Sequence, residues 1–61
     1  MKRTGFLKHL RRYGCALKRE GANHSLWINL NNGVIEAIPR HNEIPDKLIY
    51  KICKNLGIPK P

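Results

Sequence analysis

Acidic residues are scarce in this chain: 4 Asp and Glu stand against 12 Lys and Arg among 61 residues, a formal net charge of +8. The acids form no cluster and no two histidines have ligand spacing, so no metal site is expected. Cysteine is equally sparse. Cys15 and Cys53 are too few for a disulfide scaffold and lack metal-ligand spacing, so they read as small core residues of a reduced, cytoplasmic chain. Long apolar runs are missing and mean hydropathy is −0.50, which excludes a membrane-spanning helix. No apolar stretch of signal-peptide length follows Met1-Lys2-Arg3-Thr4, so export is not expected. No repeat or low-complexity tract is visible, and no Gly-rich phosphate loop, Ser/His/Asp set or zinc knuckle can be assembled. A chain this short forms one domain, 1–61, and buries only ~60% of its unfolded surface. It has no room for a deep cleft, and no cofactor is expected.

What is present is positive charge, and it is segregated. Residues 1–19 hold Lys2, Arg3, Lys8, Arg11, Arg12, Lys18 and Arg19 without an acid, for +7. Residues 20–46 set Glu20, Glu36, Glu43 and Asp46 against Arg40, for −3, and residues 47–61 add Lys47, Lys51, Lys54 and Lys60, for +4. Clustered Lys and Arg suit a polyanion, because neutralising a phosphate backbone releases its counterions. Contact with nucleic acid is therefore the first reading of the charge, with a small soluble protein that merely happens to be basic as the rival.

The chain punctuates itself. Phe6, Leu7 and Leu10 form one apolar stripe after Thr4, a residue suited to an N-cap, and Gly14 follows Tyr13 as a left-handed stop. On this helix Lys8, Arg11 and Arg12 share one face. Cys15-Ala16-Leu17-Lys18 reads as a short strand, and His24–Leu30 alternates with period two. Asn31-Asn32-Gly33 is a hairpin signal returning Val34–Ile38 as a partner strand, which Pro39 stops. Pro45 and Asp46 suit the start of a second helix, with Leu48, Ile49, Ile52, Cys53 and Leu56 buried and Gly57 closing it. Lys47, Lys51 and Lys54 then make a second basic stripe.

The order is α-β-β-β-α. The predicted class is α+β: a three-stranded antiparallel sheet with two helices on one face, the layout of a small double-stranded-RNA-binding domain. Parity groups His24, Leu26, Ile28 and Leu30 on one face of the central strand and Ser25, Trp27 and Asn29 on the other. Taking the aliphatic set as inward, with Ile35 and Ala37 beside it and Glu36 out, leaves Trp27 on the open face, free to stack on a base or anchor a protein partner. Core packing is the commoner place for a lone Trp in a small domain.

His24 is the candidate for chemistry. It opens a strand just after the corner Glu20-Gly21-Ala22-Asn23, where a side chain can protrude although its parity points inward. An imidazole of ordinary pKa, ~6.5, both accepts and donates a proton near neutrality. RNA carries its own nucleophile, the 2′-hydroxyl, beside each phosphate, so a base and a cationic surround suffice to cleave it without metal. Spacing alone favours the alternative, an ordinary strand-end histidine. His41, in Ile38-Pro39-Arg40-His41, follows the third strand and reads equally as a loop histidine or an RNA contact. His9, between Lys8 and Leu10, reads as surface.

Gly21-Ala22-Asn23-His24 opening a strand, Ile38-Pro39-Arg40-His41 after a hairpin, and Lys54-Asn55-Leu56-Gly57-Ile58 ending a helix occur in an ordered series. With Phe6-Leu7-Lys8-His9-Leu10 running up to Tyr13-Gly14, they resemble the HicA toxins of bacterial type II toxin–antitoxin systems over nearly the whole chain. The family usually carries Ser at the position of Ala22, and its proline and histidine after the third strand match Pro39 and His41. The resemblance implies a toxin that cleaves messenger RNA with His24 as catalytic group. It also implies a HicB-like antitoxin that covers that histidine. Lys8, Arg11, Arg12, Lys18, Arg19, Arg40, His41, Lys47 and Lys51 are the expected RNA contacts, and Trp27 and His24 the expected antitoxin contacts. The toxin is expected to be monomeric alone and hetero-oligomeric with its antitoxin. A non-catalytic RNA-binding module of the same fold is the alternative.

Overall fold

A computed structural model describes residues 1–61 as α1 (Arg3–Arg12), β1 (Cys15–Glu20), β2 (His24–Asn29), β3 (Ile35–Pro39) and α2 (Asp46–Leu56). The sheet is antiparallel in the order β1-β2-β3, so His24 opens the central strand. This is the expected α-β-β-β-α order in a double-stranded-RNA-binding-domain-like α+β fold. No helix is long and apolar enough to cross a membrane.

Gly14, Gly33 and Gly57 all take positive φ, as the turn and helix-stop readings require. The first helix starts one residue before Thr4, at Arg3, and no side chain caps it. Its first amide is satisfied instead by the Asn42 carbonyl at 2.8 Å, so Thr4 is not the cap. Pro45 lies just outside α2, with Asp46 in the first turn beside the positive helix end. β1 runs two residues past Lys18, because a register shift between Leu17 and Arg19 keeps it paired to the corner.

The core gathers Phe6 and Leu10 of α1, Cys15, Trp27, Ile38 and Ile44, and Ile49, Ile52, Cys53 and Leu56 of α2. Leu48, expected inside, is exposed on α2. The two cysteines are free and buried, and burial pushes both thiols up from their ordinary value.

The parity of β2 is as expected, but the buried face is the opposite one. Ser25, Trp27 and Asn29 lie under the helices, with Trp27 only 2% exposed. Leu26 and Ile28 are half-buried on the outer face, and Ile35 and Ala37 opposite them are exposed. Trp27 is therefore a core residue and offers no surface to a partner. The two polar residues of the inner face are satisfied, whereas the buried indole N–H of Trp27 has no hydrogen-bond partner. Asn29 donates through Nδ2 to the Leu56 carbonyl at 2.8 Å, closing the C-terminal end of α2, and accepts the Asn31 amide at 2.9 Å. Ser25 is hydrogen-bonded on both sides. Burying the indole removes far more apolar surface from water than burying one of the aliphatic chains would.

Candidate functional site

The corner between β1 and β2 is tight, and Gly21 makes it possible. The Gly21 amide donates to the His24 carbonyl at 2.8 Å. A Cβ on residue 21 would stand 2.9 Å from that carbonyl oxygen, closer than side-chain carbons come, so a larger residue would push the corner open.

Arg40, just beyond β3, holds this corner from outside. Its guanidinium donates to the carbonyl of Gly21, to that of Ala22 at 3.2 Å and to that of His24 at 3.2 Å. It also pairs with the Glu20 carboxylate at 2.8 Å. Glu20 accepts in addition from Ser25 Oγ at 2.6 Å, and Ser25 Oγ accepts from Arg3 Nη2 at 2.9 Å. Arg3 Nε reaches the Pro39 carbonyl at 2.8 Å. The start of α1, the ends of β1 and β3, and the first turn of β2 are thus joined through four side chains, one of them the fully buried Ser25. Expected on a phosphate, Arg40 is engaged in this clamp instead. The roles of Arg3, Glu20 and Ser25 were hidden in the sequence, where they are separated by up to 22 positions. No signal in the sequence pointed to them, because the parity reading put Ser25 on the open face of the sheet.

Hydrogen bonds from Ser25 and then from Arg40 hold the Glu20 carboxyl below the ordinary carboxylate range. The folded pKa lies below the unfolded one, so this interaction contributes stability above the unfolded value and is lost as pH falls through the folded value. In urea titrations on the acid side of pH ~4, a Glu20→Gln variant is expected to lose less stability on acidification than the parent. Parallel acid limbs for the two proteins would show that the pairing carries no folding energy.

Held by this clamp, His24 is exposed, and its backbone carbonyl rather than its ring is tied down. Its register partner is Pro39, one row from Leu26, and Arg19 lies opposite Leu26 on the same outer face. Lys18, at the register shift, is exposed as well. His41 is exposed in the segment after Arg40. The other cations are carried by the helices. Lys8 and Arg12 line a shallow hollow of about 500 Å³ with His9. Arg11 is exposed, with its guanidinium 5.2 Å from the centre of the Trp27 ring. Lys47 and Lys51 are exposed on α2. A second hollow of about 430 Å³, lined only by Lys2, Arg3, Thr4, Arg40, Asn42 and Glu43, adjoins the start of α1. No group of three His, Cys, Asp or Glu side chains comes together to hold a metal ion.

Fold and corner together define a small, strongly basic domain of the double-stranded-RNA-binding type, with one exposed histidine on a rigid strand start. The family described as HicA toxin of bacterial toxin-antitoxin matches residues 5–58. The chain belongs to that family, and is accordingly the toxin member of a toxin–antitoxin pair with a cognate antitoxin as partner. No curated protein and no solved structure matches it.

Proposed function

We propose that this toxin is a metal-independent endoribonuclease acting on messenger RNA, with His24 as its proton-transfer group and a HicB-like antitoxin as its inhibitor. The observation that carries the reading is the exposed imidazole on a corner whose backbone is clamped by Arg40. A side chain that must reach a single ribose oxygen gains from a fixed base, since misplacement by ~1 Å can cost about 100-fold in rate.

In the step proposed, His24 takes the proton of the 2′-hydroxyl. The 2′-oxygen then bonds to phosphorus and the P–O5′ bond breaks. The departing 5′-oxygen takes a proton from a second group or from water, leaving a 2′,3′-cyclic phosphate and a 5′-hydroxyl. Arg19, opposite Leu26 and one row from His24 on the outer face, and Lys18 at the register shift beside it neutralise the phosphate. Lys8, Arg11, Arg12, Lys47 and Lys51 on the helices, with His41, carry the flanking strand. Arg40 is a positioning residue.

Incubating the purified protein with single-stranded RNA in excess chelator tests this. Cleavage is expected, with fragments ending in cyclic phosphate. RNA that is retarded on a gel but stays intact would overturn the nuclease reading in favour of the binding module. Fragments ending in 3′-hydroxyl would overturn the mechanism, because water rather than the ribose would then be the nucleophile.

A further inference from the structure

The sheet end that carries His24 has cations on both sides, and those on the β3 side line a cavity. Lys18 and Arg19 lie toward β1. On β3 the register partner of His24 is Pro39, and the chain runs on from it through Arg40 to Asn42. Arg40, Asn42 and Glu43 here meet Lys2, Arg3 and Thr4 at the start of α1 around the hollow of about 430 Å³. Its two sides are tied together by a backbone bridge between Lys2 and Glu43 and by the Arg3 amide, which donates to the Asn42 carbonyl at 2.8 Å. Arg40 also donates to the His24 carbonyl at 3.2 Å, so one guanidinium joins the hollow to the corner.

The lining decides what can enter. It includes no hydrophobic residue, so neither a base nor an apolar side chain finds a stacking or packing partner there. Three cations stand against one carboxylate, Glu43, which makes an anion the fitting occupant. Arg40 is fully engaged within the protein: it pairs with Glu20 and holds three carbonyls of the corner. Arg3 is not. Its Nε serves the Pro39 carbonyl and its Nη2 serves Ser25, which leaves Nη1 free and no carboxylate in ion-pair reach. Lys2 is exposed, and its ammonium is in none of the ion pairs. Arg3 is moreover fixed by its two bonds, so an incoming anion has one long side chain fewer to order.

We infer that this hollow binds a backbone phosphate of the RNA strand, flanking the phosphate that is cut. The inference rests on the nuclease reading for the role of His24 and adds a second phosphate site on its β3 side. The Lys2 ammonium and Arg3 Nη1 donate to the phosphate oxygens in charge-assisted bonds. The RNA then crosses the sheet end in the order of the strands. One phosphate is held from β1 by Lys18 and Arg19, the reacting ribose lies at His24, and a further phosphate sits in the hollow beyond β3. A strand held on both sides of the reacting ribose cannot slide, and that fixes the line of attack on phosphorus.

The test measures binding of the full chain to a single-stranded RNA whose 2′-hydroxyls are all methylated, which removes the nucleophile, and cleavage of the same sequence unmodified. Lys2→Ala removes one phosphate contact and is expected to lower the slope of log affinity against log salt by about 0.7. Thr4→Glu sets a carboxylate in the hollow at an exposed position and is expected to weaken binding at least about tenfold. An acid in the first turn favours the helix, so thermal melting at or above the parental midpoint separates this loss from a damaged fold. Lys60→Ala removes the same charge outside the hollow and should leave the slope as it was. Unchanged affinity and slope in both Lys2→Ala and Thr4→Glu would overturn the inference. So would an equal fall of slope in Lys60→Ala, because the charge would then act through the field of the whole chain. Inorganic phosphate that shifts the amide resonances of Lys2 to Thr4, with RNA affinity indifferent to both substitutions, would reassign the hollow to a free anion. If the methylated RNA responds as expected and the unmodified RNA stays intact, the nuclease reading falls and the hollow stands as an RNA phosphate site.

Discussion

A His24→Ala variant is expected to fold as the parent does, bind RNA with similar affinity and cleave it roughly 100- to 10,000-fold more slowly. The fold should survive because the ring is exposed, and surface changes away from special contacts stay within about 0.5 kcal/mol. The corner should survive too, since its bonds to Arg40 and Gly21 are made by the backbone carbonyl that alanine retains. The cost falls on the transition state alone, and that range corresponds to about 3–5 kcal/mol. Cleavage rates on a labelled RNA and growth after induction in cells lacking antitoxin are the two readouts. A variant that cuts and arrests growth like the parent would remove His24 from the mechanism.

A Trp27→Ala variant is expected to lose a large share of its folding free energy. Removing a buried Trp costs about 3–5 kcal/mol, and a domain of 61 residues has roughly 3–9 kcal/mol in total. The indole is sealed between the sheet and the helices, so its removal leaves a cavity in the core. Urea denaturation followed by circular dichroism would measure this. A loss below about 1 kcal/mol, typical of exposed sites, would mean that the indole faces solvent, and the open and covered faces of the sheet would have to be exchanged. The two variants separate the roles along one strand: position 24 should change rate at constant stability, and position 27 stability first.

Much of the site was legible before any coordinates. His24 stands at the start of β2 because Gly21 forces a corner and the alternation begins there, and both are local properties of the chain. Arg40 was legible as a cation near the same sheet end but not as a clamp. Its acceptors are the carbonyls of residues 21, 22 and 24, and the backbone groups left unpaired by a turn do not show in side-chain patterns. The family's usual serine at position 22 is Ala here, and the corner is nonetheless held, from the opposite strand.

By itself the sequence determined the element order, the turns at Gly14, Gly33 and Gly57, and the concentration of positive charge outside residues 20–46. Each follows from near-neighbour constraints on φ, periodicity or composition. Only the tertiary structure decided which face of the sheet is covered. Period-two alternation is symmetric under exchange of faces, and hydropathy broke the tie the wrong way. Once the helices dock, Asn29 meets the C-terminal carbonyl of α2, Ser25 meets Arg3, and the indole fills the space between them. Paired in this way, two polar side chains cost little to bury, and Leu26, Ile28 and Ile35 are left on the outside.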